Sequence, residues 1–312
     1  MDYTTLGRTG LKVSVAGFGC GGNSKAGLGT GAGDKGAVAI LREAMDLGIN
    51  MFDTARSYGT EGVLGEAIAD VPRDSVVIST KHLAGGTPES TVAALEKSLR
   101  ELGTDYVDIF MLHGVSPRQY DHALAELAPA LLREKERGKL RFLGITETSP
   151  NDHEQEMLSR AVHDGCWDVM MLGFNLMHQV ARERVFPHTL ANGIGTLMMF
   201  TVRNVFSVPG RLEETMRELA AEGKVPAALA TDDPLGFLVH DGGATSVIDA
   251  AYRYARHEPG ANVVLFGTGN PDHLRSNVAS ILSPPLPDAD RAKLAELFGR
   301  LRGVGLDVPG PR

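Results

Sequence analysis

Along most of the chain, short apolar runs alternate with longer stretches whose apolar residues recur every three or four positions. The runs fall at residues 15–19, 50–54, 75–81, 107–112, 141–146, 168–174, 194–200 and 262–267; each is rich in Val, Ile, Leu, Met or Phe and predicts a buried strand. Between and after them, the amphipathic stretches at 35–47, 61–70, 88–102, 121–137, 152–164, 179–191, 245–257 and 271–282 predict helices. In the first of these, Ala37, Ile40, Leu41, Ala44 and Met45 share one face and Gly48 ends it. Thr87-Pro88-Glu89 opens another and Gly103 closes it, which suits the N-cap and the residue after the C-cap.

Strict alternation of buried strands with amphipathic helices implies parallel strands joined by right-handed crossovers, and eight such units close into a barrel. The expected fold class is therefore α/β, a (β/α)8 TIM barrel spanning 1–312 as one domain, a size ordinary for that architecture. Residues 3–14 predict a hairpin ahead of the barrel. An insertion follows the seventh strand at about 202–244, with its own helical stretch at 211–222, and a tail helix is expected at about 288–301. Functional groups of such barrels gather at the C-terminal ends of the strands, so the insertion is expected to flank the site as a substrate loop or lid.

Composition narrows the class of partner. Hydrophobic residues make up 43% and charged residues 22%, the usage of a soluble globular protein. No apolar run reaches the length of a membrane span, and Met1-Asp2-Tyr3-Thr4-Thr5 lacks the basic and apolar regions of a signal peptide, so a cytoplasmic protein is expected. The formal charge of -8 and the lack of a Lys/Arg cluster argue against nucleic acid and leave a small molecule as the expected partner. Cys20 and Cys166 are expected to be free thiols.

Candidate chemistry emerges when the strand ends are taken together. The second predicted strand runs Met51-Phe52-Asp53 and is followed by Tyr58 and Gly59; the third ends at Lys81 and the fourth at His113. Taken singly, Asp53 reads as a turn residue and Tyr58 as loop packing. In one barrel all four converge at one rim. A buried ammonium at Lys81 needs a carboxylate, which Asp53 supplies. A cation beside a phenol lowers its pKa from about 10, so Tyr58 is expected to act as a general acid with a depressed pKa. His113 is expected to orient a substrate oxygen by hydrogen bonding.

These residues resemble the aldo-keto reductase family in Phe52-Asp53-Thr54-Ala55 with Tyr58-Gly59, in Ser79-Thr80-Lys81, and in Asp105-Tyr106-Val107-Asp108 leading to Leu112-His113. The resemblance covers nearly the whole chain. It implies reversible hydride transfer between a nicotinamide cofactor and a carbonyl compound or alcohol. Tyr58 would be the acid, Lys81 its modulator, Asp53 the partner of Lys81 and His113 the substrate-orienting group.

The cofactor positions depart from the family's pattern. Where the family usually has Gly-Val-Ser-Asn after the fifth strand, this chain has Gly144-Ile145-Thr146-Glu147, and an ionised Glu147 accepts from the carboxamide NH2 but donates nothing to its oxygen. The glutamine expected on the sixth strand falls at Met171, while the aromatic under the nicotinamide is kept as Phe200, followed by Thr201 and Arg203. Gly19 and Cys20 would border the cofactor from the first strand. At the adenosine end, Asn277 matches the adenine-binding asparagine. Gly267 and Gly269, flanking Thr268, stand where Lys or Arg is common, and His273 where Arg or Gln is. Losing a charge-assisted phosphate contact costs about 1.5–3 kcal/mol, so NADP(H) is expected with NAD(H) close behind.

Three alternatives compete. Gly17-Phe18-Gly19-Cys20-Gly21-Gly22 fits the dinucleotide fingerprint of an open Rossmann sheet, but a polar loop follows it where a helix should begin, and Asp53 is too distant. His82, His113, Asp53 and Lys81 could surround a metal ion, without any His-x-His or His-Glu-x-x-His pattern; no metal is expected. A cofactor-binding sensor or subunit without turnover is the third, favoured by Glu147 and Met171. Small aldehydes, ketones and sugars are the candidate substrates.

Overall fold

A computed structural model describes residues 1–149 and 151–306; residues 307–312, the end of the expected span, lie outside the described residues. The chain opens with two antiparallel strands, β1 (Tyr3–Thr5) and β2 (Lys12–Ser14). Leu6, Leu11 and Val13 of this hairpin are buried in one cluster with Met51, Val77, Ile109, Val169 and Val263 from the barrel strands. The hairpin thus plugs the barrel at the end away from the site.

The strands β3 (Ala16–Gly19), β4 (Met51–Asp53), β5 (Val77–Leu83), β6 (Val107–Val115), β7 (Leu140–Glu147), β8 (Val169–Gly173), β9 (Gly195–Met199) and β10 (Val263–Phe266) follow. All pair in parallel, each with its neighbour in sequence, and β10 closes the barrel between β9 and β3. Both faces of these strands are buried, one against the barrel interior and the other against helices, which explains runs that are apolar without alternation. The expected (β/α)8 architecture is observed.

The helical layer comprises α1 (Gly33–Asp46), α2 (Glu61–Ile68), α3 (Pro88–Leu102), α4 (Tyr120–His122), α5 (Ala128–Glu136), α6 (Glu156–Ala161), α7 (Ala181–Arg184) and α8 (Phe186–Asn192). It continues with α9 (Asn204–Ser207), α10 (Arg211–Ala221), α11 (Val247–Arg256), α12 (Pro271–Leu282) and α13 (Asp288–Phe298). The start of α3 is capped reciprocally by Thr87 and Ser90, and Gly103 ends it with a φ of 65°.

Three expected helices differ in detail. The one expected at 152–164 is confined to α6, because Asp152 caps the backbone of Glu156 and Met157 at 2.8 and 2.9 Å and Gln155 adopts a φ of 51°. The one expected at 179–191 is split into α7 and α8 by Pro187, which has no N–H to continue the ladder. Between α4 and α5 the backbone widens into a π turn at Ala123–Leu127, just ahead of Pro129. The insertion after β9 holds α9, α10 and two 3-10 turns, and α13 is the tail helix. Beyond α13 the chain returns to the barrel, where Leu306 is buried. No helix among the described residues is long and apolar enough to cross a membrane.

Candidate active site

The registers of adjacent strands bring Asp53, Lys81 and His113 to one end of the barrel, where the turn after β4 adds Tyr58. Asp53 pairs with Ser79, two residues before Lys81 on β5, and Leu83 pairs with His113 on β6. Met51, Ile109 and Met111 point into the interior cluster, so period-two alternation turns Asp53 and His113 inward above it. Lys81 is fully buried, and its Nζ donates to Asp53 Oδ2 at 2.6 Å and to the Thr54 carbonyl at 2.7 Å. The same ammonium lies 4.9 Å from the Tyr58 ring centroid. Tyr58 OH is 3.4 Å from His113 Nε2, with the two rings nearly perpendicular at 5.6 Å.

Burial sets the electrostatics. It pulls Lys81 toward neutrality, but Asp53 and Tyr58 outweigh it and hold the ammonium charged. Burial, assisted by the nearby Lys81 charge and by His82, pushes the His113 imidazole down to about 3, so it is neutral at pH 7. The depressed Tyr58 pKa expected from sequence is corrected: burial raises it above the ordinary phenol value, and the opposing pull of Lys81 only moderates the rise. Removal of the phenolate from water outweighs one neighbouring cation here.

Tyr58 sits on a 3-10 turn (Arg56–Tyr58) fixed from both sides. Arg56 pairs with the fully buried Glu61 and, at 2.7 Å, with Glu101; Glu61 also accepts from Thr80 Oγ1 at 2.6 Å. A β-carbon on Gly21 would lie 2.6 Å from the Tyr58 ring, so the bare glycine backbone forms one wall of the phenol's slot. Sequence reasoning missed Arg56, Glu61 and Gly21. The charged pair at a spacing of five residues, flanking a glycine-broken turn, was the available signal.

Next around the rim, Thr146 Oγ1 accepts from the Gly114 N–H at 2.7 Å. Glu147 is almost completely buried. Its Oε1 accepts from the Gly173 N–H at 2.6 Å, Ser149 Oγ at 2.6 Å and Gln155 Nε2 at 3.3 Å, whereas Oε2 has no partner. Burial pushes this carboxyl up to about 7 against those three hydrogen bonds. Met171 packs in the apolar interior with Met51, Met111 and Leu197. Phe200 is half-buried with a φ of 62°, its carbonyl accepts from Asn175 Nδ2 at 3.2 Å, and Arg203 stacks 4.4 Å from its ring centroid. Asn175, another residue missed in the sequence, also ties down the tail through the Gly305 carbonyl at 3.0 Å. Thr201 is buried, its hydroxyl without a partner.

The β10–α12 loop completes the rim. A β-carbon on Gly267 would come 2.5 Å from the Gly19 carbonyl oxygen, and one on Gly269 would collide with the backbone of Gly27 in the loop after β3. These glycines are therefore packing requirements of this chain. Thr268 Oγ1 accepts from the Asn270 N–H at 3.0 Å, and Asn270 caps α12. On that helix His273 is exposed and Asn277 partly so, while Arg275 is held by Glu43 at 2.6 Å and Asp272 at 3.0 Å. Cys20 is fully buried and its thiol is pushed up by burial, so its side chain belongs to the core; Cys166 is likewise a free thiol. Among the described residues no group of three or more His, Cys, Asp or Glu is placed to hold a metal ion.

The Aldo/keto reductase family model matches residues 18–298. The chain belongs to the aldo/keto reductase family. Among its relatives, L-galactose dehydrogenase of Arabidopsis thaliana is 38% identical over a region covering 63% of this chain and 64% of that protein. Aldo-keto reductase YhdN of Bacillus subtilis is 26% identical, covering 88% of this chain and 87% of that one. The crystal structure of an aldo/keto reductase from Klebsiella pneumoniae in complex with NADP and acetate superposes with a TM-score of 0.72 at 23% identity, covering 99% of this chain and 100% of that one. That likeness bears on the fold. The four side chains Asp53, Tyr58, Lys81 and His113 occupy one contiguous patch at the mouth, and the positions named for the cofactor follow the rim from β3 through β7 and β9 to β10 and α12, except that the side chains of Cys20 and Met171 are turned into the core.

Proposed function

We propose that this protein is an NAD(P)(H)-dependent oxidoreductase that interconverts a small carbonyl compound and its alcohol. The observation that carries the proposal is the phenol of Tyr58 set between the Lys81–Asp53 pair and the Nε2 of a neutral His113. Family membership supports the reaction class, and the name of the plant relative supports a sugar or other hydroxyaldehyde as substrate. The lack of a Lys/Arg cluster in the sequence agrees with an uncharged substrate.

The bound nicotinamide dinucleotide supplies the hydride chemistry, and the residues around the mouth suit it. Phe200 offers a flat, half-buried ring, Arg203 and the N-terminal end of α12 offer positive potential for phosphate, and Asn277 offers an amide. Tyr58 donates its proton to the carbonyl oxygen in reduction and, as phenolate, takes it back in oxidation. Lys81 compensates the negative charge that then develops on the phenol, and Asp53 keeps that ammonium charged. Neutral His113 donates from Nε2 to the same oxygen and so orients it without carrying the proton.

At the ribose end, Gly267 and Gly269 are locked by packing and Arg275 is engaged by two carboxylates. We therefore propose NADP(H) as cofactor with weak discrimination, roughly tenfold or less, against NAD(H). The test is calorimetric titration with NADPH, NADH and their oxidised forms, followed by turnover of sugar and aldehyde panels with Tyr58→Phe as control. Binding with turnover in the wild type, and binding with turnover reduced at least a hundredfold in Tyr58→Phe, is the expected result. Binding without turnover of any carbonyl or alcohol would instead identify a cofactor-binding sensor.

A further inference from the structure

Glu147 is a buried carboxyl with one oxygen saturated and the other, Oε2, without any partner. Among the described residues no cation forms an ion pair with it, and the charged group that most affects it is a second carboxylate, Asp152. Burial therefore favours the protonated carboxyl, and when Glu147 ionises it is a buried charge without a counter-charge. The position of that missing charge is indicated by what surrounds the residue. Leu306 of the tail, Glu147 Oε1 (the saturated oxygen) and the Phe200 ring lie 3.0, 3.2 and 3.3 Å, respectively, from the point where a β-carbon on Gly173 would stand. The carboxyl and the ring proposed to carry the nicotinamide thus both border Gly173 at the end of β8, with Leu306 packed between them and solvent.

We propose that Glu147 is the counter-charge for the oxidised, cationic nicotinamide ring, so that this protein holds oxidised cofactor more tightly than reduced cofactor. This rests on the nicotinamide site described under Proposed function. The two redox forms of the ring differ by one positive charge, and a carboxylate at short range in a poorly solvated wall discriminates between them by Coulomb attraction. An amide at the same place makes hydrogen bonds with either form but cannot separate them by charge. With oxidised cofactor bound, the alcohol C–H bond would break, its electron pair leaving with the hydrogen as hydride to the nicotinamide ring. The hydroxyl proton passes to the Tyr58 phenolate, and the carbonyl forms. Arg203, whose guanidinium lies 4.4 Å from the Phe200 ring centroid, is retained in the variants compared below.

The experiment is calorimetric measurement of the dissociation constants of NADP+, NADPH, NAD+ and NADH for wild type, Glu147→Gln and Glu147→Asn. It is made at about pH 8.5, where Glu147 is ionised. Gln keeps the acceptor oxygen for Gly173, Ser149 and Gln155, and Asn gives a second neutral side chain should Gln impair folding. The expected result is that the neutral variants lose about tenfold in affinity for the oxidised forms while the reduced forms change less than about twofold. Equal losses for both redox forms, or no change in either, would overturn the role of Glu147 and leave the nicotinamide site standing. Failure of the wild type to bind any of the four would overturn that site and this inference with it.

Discussion

Lys81 and Asp53 form a 2.6 Å ion pair across adjacent strand ends, with Lys81 fully buried and Asp53 nearly so. The Coulomb attraction holds Lys81 charged but offsets only part of the desolvation cost at Asp53, whose carboxyl burial leaves above its ordinary value, and removing one partner leaves an uncompensated charge. Asp53→Asn is expected to destabilise the fold by about 3–5 kcal/mol, read from denaturant unfolding. Lys81→Met in the same background should recover part of that loss while leaving turnover abolished. A double variant no more stable than Asp53→Asn would show that the pair is not the origin of the cost.

The phenol pKa, raised by burial despite the Lys81 cation, dictates a pH dependence with opposite signs in the two directions. Reduction needs the protonated phenol, so in Glu147→Gln, which removes the carboxyl pushed up to about 7, its rate should be level from about pH 6 to 9 and fall only above the ordinary phenol value of about 10. Oxidation needs phenolate and should rise throughout the alkaline range. With the His113 imidazole pushed down to about 3, neither profile should show an inflection near the usual histidine value of about 6.5. Initial rates against pH in both directions provide the check, and a break near 6.5 that disappears in His113→Gln would contradict a permanently neutral imidazole.

Gly21 shapes the slot of Tyr58 by having no side chain. A methyl group there would stand 2.6 Å from the ring, and the ring must move away. Gly21→Ala is expected to lower kcat about tenfold to a hundredfold with little change in Tm or cofactor affinity, since displacement of a proton donor by about 1 Å costs on that order. Comparing kcat with cofactor dissociation constants separates this effect from damage to the cofactor site.

Restoring a basic residue at the ribose end should not restore phosphate recognition. At Gly269 any side chain meets the backbone of Gly27, so Gly269→Arg would displace the 3-10 segment Lys25–Thr30 before it reached a phosphate. The expected outcome is weaker binding of both NADPH and NADH by a similar factor. A selective gain for NADPH of tenfold or more would show that the loop yields.

Much of the fold was legible because it depends on patterns of short period. Eight apolar runs alternating with eight amphipathic stretches leave few arrangements besides a closed parallel barrel, and that closure alone predicts that Asp53, Lys81 and His113 meet although far apart in sequence. The four candidate residues were visible for this reason. Local backbone chemistry was less so: the short α6 depends on Asp152 capping after an unusual Gln155 conformation, and the division of α7 from α8 depends on one proline.

What only the tertiary structure decided are balances between opposing terms and contacts between distant backbones. Sequence placed a cation beside the phenol, but the sign of the net pKa shift depends on how much water the fold removes, and burial prevailed over Lys81. Sequence likewise marked Gly267 and Gly269 as missing charges, whereas the fold makes them points of close approach to Gly19 and Gly27. Glu147 read as an imperfect amide replacement until its surroundings showed one oxygen saturated at the end of β8 and the other buried without a partner. Periodicity determines which elements form and which ends they share; desolvation and steric exclusion arise only when those elements have closed around a common interior.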